Sequence, residues 1–243
     1  MDQSLRLSSS GVVFLLRKWW NRGPGQENYP DTYMTSRQEL NRRFVEWIPR
    51  ESGENSVDHT VLVLTHFPST FAELEQELDQ QDLEFQVVTE PITPHWLFQH
   101  RSDLAPNKLI LGLVPQLNPE LLELPDVYRE GQPRRPWEVS ILLAERHFLK
   151  QQDQLLSAFL RELPAKRKVG HFLALDDALF RHFSNAALRL LLEHYGMQSE
   201  SVIQSPIVDR QVRMIQSRYA RLVGENQPCN SPEEWLERHC PNL

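Results

Sequence analysis

Five stretches of the chain are apolar along most of their length rather than at every second residue: Thr60 to His66, Glu84 to Thr89, Lys108 to Val114, Glu138 to Ala144 and Val169 to Leu175. A strand with one wet face alternates, whereas a run that is apolar throughout is buried on both faces, as in a parallel sheet covered by helices. Amphipathic segments lie between these runs. Phe71, Leu74 and Leu78 keep helical spacing behind Pro68-Ser69-Thr70, where a proline and a hydroxyl suit a helix start. Leu155, Leu156, Phe159, Leu160 and Leu163 do the same before Pro164, and Pro94 to Leu104 is a shorter helix candidate. Pro115 to Pro136, with five prolines, reads as an irregular excursion. Right-handed crossovers then give an α/β fold, a three-layer sandwich on a parallel sheet of about five strands. Beyond Leu175 the pattern turns helical. Val208, Val212, Ile215, Tyr219 and Leu222 recur at spacings of four and three, which predicts a long one-sided helix over Pro206 to Leu222.

The 243 residues have room for one or two domains. A net charge of -7 favours solubility and argues against a general nucleic-acid partner, which calls for a basic face. Two cysteines, Cys229 and Cys240, allow one disulfide at most, so a disulfide framework is excluded and a cytoplasmic setting is expected. No apolar run approaches the roughly 18 residues that span a bilayer.

The first 26 residues differ from the rest. Val12, Val13, Leu16, Trp19 and Trp20 fall in one sector of a helix over residues 12 to 22, while Arg17, Lys18 and Arg22 fall outside it. This cationic amphipathic helix has two readings: it packs on the chain's own body, or it lies at an anionic membrane surface with tryptophans at headgroup level. Residues 26 to 56 are polar, with a helix candidate at Ser36 to Ile48 whose Leu40, Phe44, Trp47 and Ile48 share a face, and a linker at Ser52 to Ser56. The resulting division is an N-terminal helical extension and linker (1–56), an α/β domain (57–183) and a helical tail (184–243).

One segment is specific enough to carry a resemblance. Lys168-Val-Gly-His-Phe-Leu-Ala-Leu-Asp-Asp-Ala-Leu-Phe-Arg-His-Phe183 is followed by Gly196-Met197 and Gln204-Ser-Pro-Ile-Val208, and preceded by Glu145-Arg146-His147 at the end of an apolar run. This pattern resembles the close of the second motor domain of the SecA preprotein translocase ATPase family, in which T-E-R-H, F-x-L-S-L-E-D, G-M and E-H-P-x-V occupy the same places. The resemblance implies a RecA-like fold over roughly residues 57 to 223, and the start of the family's scaffold helix near Pro206. It also exposes departures. Where the family carries D-N-Q-L-R-G-R-S-G-R-Q-G-D, Ser157, Phe159 and Glu162 replace the three arginines that reach nucleotide phosphates. Leu113 to Asn118 stands in place of the family's G-R-G-T-D loop, and no G-x-x-x-x-G-K-S/T is present anywhere. A guanidinium stabilises charge developing on a transferring phosphoryl group; phenylalanine and glutamate do not.

The remaining constellations have bland readings beside sharp ones. Asp176 and Asp177 follow an apolar strand, as magnesium-binding acids do, but without a P-loop the expected role is capping the following helix. Glu145-Arg146-His147 ends a buried strand, where sites of open sheets gather, and an ion pair or cap fixing the loop is the simpler account. His171 and His182 read as core or boundary residues. Cys229, His239 and Cys240 lack zinc spacing, and no G-x-S-x-G is present. Arg129, Arg134 and Arg135, and Lys166, Arg167 and Lys168, read as solvated loop charge.

The sequence thus predicts a non-catalytic SecA-like binding or adaptor protein without cofactor or metal, whose partner is a protein such as the export machinery or another motor. It is expected to be cytoplasmic, with a peripheral position at the inner membrane as the alternative. Two alternatives stand beside it: a subunit of a split ATPase that supplies one wall of an interdomain site to a separate P-loop chain, and a membrane-surface adaptor acting through residues 12 to 22.

Overall fold

The computed structural model describes residues 27–28, 31–52, 59–100, 109–119, 137–163, 165–183 and 203–243. The amphipathic segment at residues 12 to 22, the Gly196-Met197 pair and the cluster Arg129, Arg134 and Arg135 lie outside them.

The apolar runs form parallel strands: β3 (His59–Thr65), β4 (Gln86–Val87), β5 (Leu109–Leu113), β6 (Glu138–Leu143) and β7 (Lys166–Ala174). Two short strands precede them, β1 (Glu27–Asn28) and β2 (Thr32–Met34). The sheet order is β1-β7-β6-β3-β5-β4, with β2 pairing β7 beyond β1 on the same edge. Every named pairing is parallel. In central β3 all seven residues are buried, each large apolar side chain contributing roughly 1.5–3 kcal/mol by leaving water. Gly112 packs closely under Ile92: a Cβ there would lie 2.7 Å from the Ile92 Cδ1 atom, so that side chain would have to shift.

Alternation along the strands divides the core between two layers. Val61, Val63, Leu109, Leu111, Leu142 and Phe172 face α1 (Arg37–Ser52) and α2 (Pro68–Gln80), meeting Leu40, Phe44, Ile48, Leu74 and Leu78. Leu62, Leu64, Ile110, Ile141, Leu143 and Val169 face α3 (Pro94–Gln99) and α4 (Gln152–Glu162), meeting Leu97, Leu156, Phe159 and Leu160. The three-layer α/β sandwich predicted from unbroken apolar runs is therefore present. A third cluster lies at the carboxyl ends of the strands, where α5 (Pro206–Leu222) and α6 (Pro232–His239) bury Val208, Val212, Ile215, Tyr219, Trp235 and Leu236 against Phe67, Phe148 and Leu179.

Strand β2 extends the sheet and α1 covers one face of it. The helix expected from Pro94 to Leu104 is described over Pro94–Gln99, and residues 101–104 lie outside the described residues. One local expectation is corrected: Lys166, Arg167 and Lys168 open strand β7 rather than forming a loop. The two lysines reach Glu138 at 3.4 Å each, and Arg167 donates to the Leu160 carbonyl, which satisfies the cations within the sheet edge and the adjoining helix end.

Candidate functional site

The loops that leave β3, β6 and β7 converge at the carboxyl ends of the strands, the place where open α/β sheets hold ligands. Glu145, 3% exposed, is the hub on the α1/α2 side. Its Oε1 accepts the backbone N–H groups of His66 at 2.7 Å and Phe67 at 2.9 Å, and its Oε2 accepts the Thr70 hydroxyl at 2.8 Å. Phe67 provides no side-chain cap for α2, so this distant carboxylate satisfies donors at the helix start and complements its dipole. Burial nevertheless pushes Glu145 up to about 7, against the pull of Arg37, two amides and Thr70.

Beside it, Arg37 donates from Nε and Nη2 to Asp177 Oδ1 at 2.9 and 2.5 Å, and from Nη1 to the Ala144 carbonyl at 2.6 Å. Asp177 Oδ2 accepts from the Ala174 N–H at 2.9 Å, and Asp176 Oδ1 from the Arg37 N–H at 2.8 Å. The expectation that these aspartates cap the following helical turn is thus corrected. Asp176 caps α1, more than a hundred residues earlier, and Asp177 anchors Arg37, because the edge of β7 delivers both to the start of α1. Burial raises Asp177 above the ordinary aspartate range, outweighing its guanidinium.

Arg146 turns to the other side. Its Nε and Nη2 reach both oxygens of Asp31 at 2.9 and 2.7 Å, and its Nη1 reaches Asp153 Oδ2 at 3.1 Å. Tyr33 donates to Asp209 at 2.8 Å, with Asp31 also 3.3 Å away; burial first, then these two carboxylates, raise its phenol. His171 Nδ1 lies 3.3 Å from Arg146 Nη2, so the ring nitrogen accepts and the imidazole is neutral; burial, then Arg146, hold it well below its ordinary value. His66 Nε2 and Asp153 Oδ1 are buried without a hydrogen-bond partner and face each other at 3.9 Å.

His147 joins this centre to the C-terminal helices. Its ring stacks on Phe67 at 5.4 Å, its Nδ1 accepts from the Leu149 N–H at 2.9 Å, and its carbonyl accepts from Gln216 at 2.9 Å. Burial lowers it to about 4. Next to it Phe148 lies flat on Trp235, centroids 4.2 Å apart with 3° between planes, and Trp235 donates to Asn226 at 2.7 Å. The Ser69 N–H donates to the Asn230 carbonyl at 2.9 Å, tying the start of α2 to the same segment. A cleft of about 140 Å³ remains between α2, the β6 and β7 loops and α6. Glu73, Glu145, Asp176, Asp177 and Glu233 line it against only Arg37 and Arg146, and both arginines are already paired with carboxylates.

Several residues singled out from sequence fall elsewhere. Val12, Val13, Leu16, Arg17, Lys18, Trp19, Trp20 and Arg22 lie outside the described residues. Ser157, Phe159 and Glu162 are on α4, with Phe159 fully buried in the sheet core. His182 is exposed. His239 Nε2 accepts the Gln227 N–H at 3.0 Å, and Cys240 is buried in the C-terminal cluster. Among the described residues no group of three or more metal-ligating side chains converges, and no helix is long and apolar enough to cross a membrane. Sequence reasoning missed Asp31, Tyr33 and Arg37, which nothing local marks. It also missed α6, which Ser231 followed by Glu234 does mark, since Ser231 accepts the Glu234 N–H at 3.1 Å.

No family model matches the chain, and no curated protein matches it. Among solved structures it is similar to the crystal structure of the C-terminal part of the Fun30 ATPase domain, with a TM-score of 0.34 and 10% identity over 76% of this chain. The match spans 54% of that chain, so the protein corresponds to about half its length. The fold itself rests on the strand pairing, register and covering helices described above.

Proposed function

We propose that this chain is a non-catalytic binding or adaptor protein on a RecA-like frame, similar over its C-terminal half to the second motor domain of SecA-type ATPases. Its partner, on this reading, is a protein of the export machinery or another motor. One observation carries the proposal: the strand-tip face, where a nucleotide would be held, is filled by the chain's own side chains. Trp235 and Tyr219 are fully buried over it, and the cleft left beside them has five carboxylates against two committed arginines. A triphosphate needs convergent, uncommitted cations and donors. Here Arg37 and Arg146 neutralise carboxylates, and the amides at the start of α2 are taken by Glu145.

The test is a thermal melt with and without ATP and magnesium. A ligand at about 100 times its Kd adds about 2.7 kcal/mol to the native state, which for a chain of this size raises Tm by roughly 5–10 °C. The expected result is no shift. A reproducible rise with ATP and magnesium would overturn the non-catalytic reading.

A further inference from the structure

Residues 224–243 are stitched to themselves more than to the rest of the chain. Within this segment Trp235 donates to Asn226 at 2.7 Å and the Gln227 N–H donates to His239 at 3.0 Å. Arg238 donates to the Pro228 carbonyl at 2.9 Å, and the Asn230 N–H donates to Glu234 at 2.7 Å. Its loop is thus closed onto α6 by its own groups. Among the described residues, the hydrogen bonds that cross to the body are the Ser69 N–H to the Asn230 carbonyl at 2.9 Å and Arg181 to Glu233 at 3.1 Å, the latter between side chains 51% and 52% exposed. An exposed pair of that kind adds little. Adhesion therefore rests on Trp235, Leu236 and Cys240, the buried residues of the segment, with Trp235 flat on the Phe148 ring. Gly224 stands at the open end, where an added Cβ would meet nothing within 4 Å. Beside Cys240 the Tyr219 hydroxyl is buried without a hydrogen-bond partner, so the closed position leaves a donor unmet that opening hydrates.

We infer that residues 224–243 form a strap that swings off the strand tips as a unit while the sheet and α5 stay folded, uncovering Phe67, His147, Phe148 and the Ser69 N–H. Hydrogen bonds internal to the strap are kept when it leaves, so opening costs the two crossing bonds and the burial of three side chains. A unit of that kind opens with a smaller free energy than the whole molecule. Helix α5 does not share this property: Val208, Val212 and Ile215 are buried, and Gln216 holds the His147 carbonyl. The face uncovered is the one at which open α/β sheets hold ligands, so the strap gates access to it. The inference is independent of the proposed function: a nucleotide-induced shift in Tm would overturn that reading and leave this one standing.

The experiment labels Cys240 with dithiobis(nitrobenzoic acid) in the full chain, without nucleotide and at urea concentrations below the unfolding transition. Cys229→Ser leaves a single thiol and keeps a donor for the Gln227 carbonyl. The logarithm of the labelling rate should rise with urea at less than about half the slope of global unfolding, since that slope tracks the surface exposed. Hydrogen exchange of the Ser69 amide, read by NMR, should give the same opening constant as Cys240, because the Asn230 carbonyl leaves with the strap. Trp235→Phe, which weakens the stack on Phe148, should speed both at least about tenfold relative to the Val63 amide of β3. The urea slope and the Ser69 comparison stand on the Cys229→Ser chain alone, whether or not Trp235→Phe folds. Labelling at the global slope throughout means that the segment opens only when the whole chain does, and overturns the inference. Labelling without urea dependence, which reports fraying at Cys240 alone, or a Ser69 amide that opens less readily than Cys240, overturns it equally.

Discussion

Glu145 and Arg146 are neighbours in sequence, but the chain holds their charges by opposite means. Glu145 turns toward α2 and is met mainly by dipoles, two backbone N–H groups and a hydroxyl, with Arg37 acting on it through space. Arg146 turns toward α4 and is met by full charges, Asp31 on two nitrogens and Asp153 on the third. A carboxyl can become neutral at modest pH, so a site built from dipoles tolerates both of its forms. A guanidinium stays charged throughout, so its neighbours must be anions, and removing it strands them. The contrast teaches that the same strand end carries a rigid ion-pair centre on one side and a titratable cap on the other.

The sharpest way to break the comparison is Arg146→Met. Asp31 and Asp153 then remain mostly buried without a counter-charge, and urea unfolding should show a loss of about 3 kcal/mol or more. Adding Asp31→Asn and Asp153→Asn should recover a substantial part; failure to recover would mean that packing rather than charge holds that side. The next effect concerns pH. His147 is depressed in the fold to about 4 from an ordinary value near 6.5. Its contribution is therefore present above pH 6.5 and lost as pH falls toward 4, up to about 3 kcal/mol. Glu145 runs the other way: raised to about 7, its contribution is fully present below about pH 4.5 and lost as pH rises through 7, up to a similar size. Stability profiles of His147→Asn and Glu145→Gln against wild type should thus diverge in opposite directions between pH 4.5 and 8, and parallel profiles would show that neither group titrates as its burial demands. The smallest effect belongs to Asp176→Ala, which removes the cap from the Arg37 N–H and should lower stability by about 1 kcal/mol in the same unfolding assay.

Much of the sheet was legible because burial on both faces leaves an unbroken apolar run, and all five such runs became strands in parallel register. The helices α1, α2, α4 and α5 were legible from a periodicity of 3.6, their inward residues being among those the spacing named, although Leu222, named with the inward face of α5, is 52% exposed. Strands β1 and β2 were not legible, since two or three residues among polar neighbours carry no period and draw their pairing from β7. Of the candidate site, the triplet Glu145-Arg146-His147 was visible as charge at the end of a buried run. Its partners were not: Asp31, Arg37 and Asp177 come together only once β2 and β7 are adjacent. For the same reason the aspartates after β7 could be placed at a helix start but not at the right one.

The adjacency of β2 and β7 bears on how the chain reaches its native state. Thr32 lies opposite Phe172 in register, so closing that edge joins points about 140 residues apart, and the entropy of so large a loop is lost before the contact returns anything. Such non-local pairing slows assembly. Until it is made, the outer rim of β7 offers unpaired backbone groups to any other chain. Refolding from denaturant should accordingly be slow and increasingly lossy at high concentration, with edge closure among the late events.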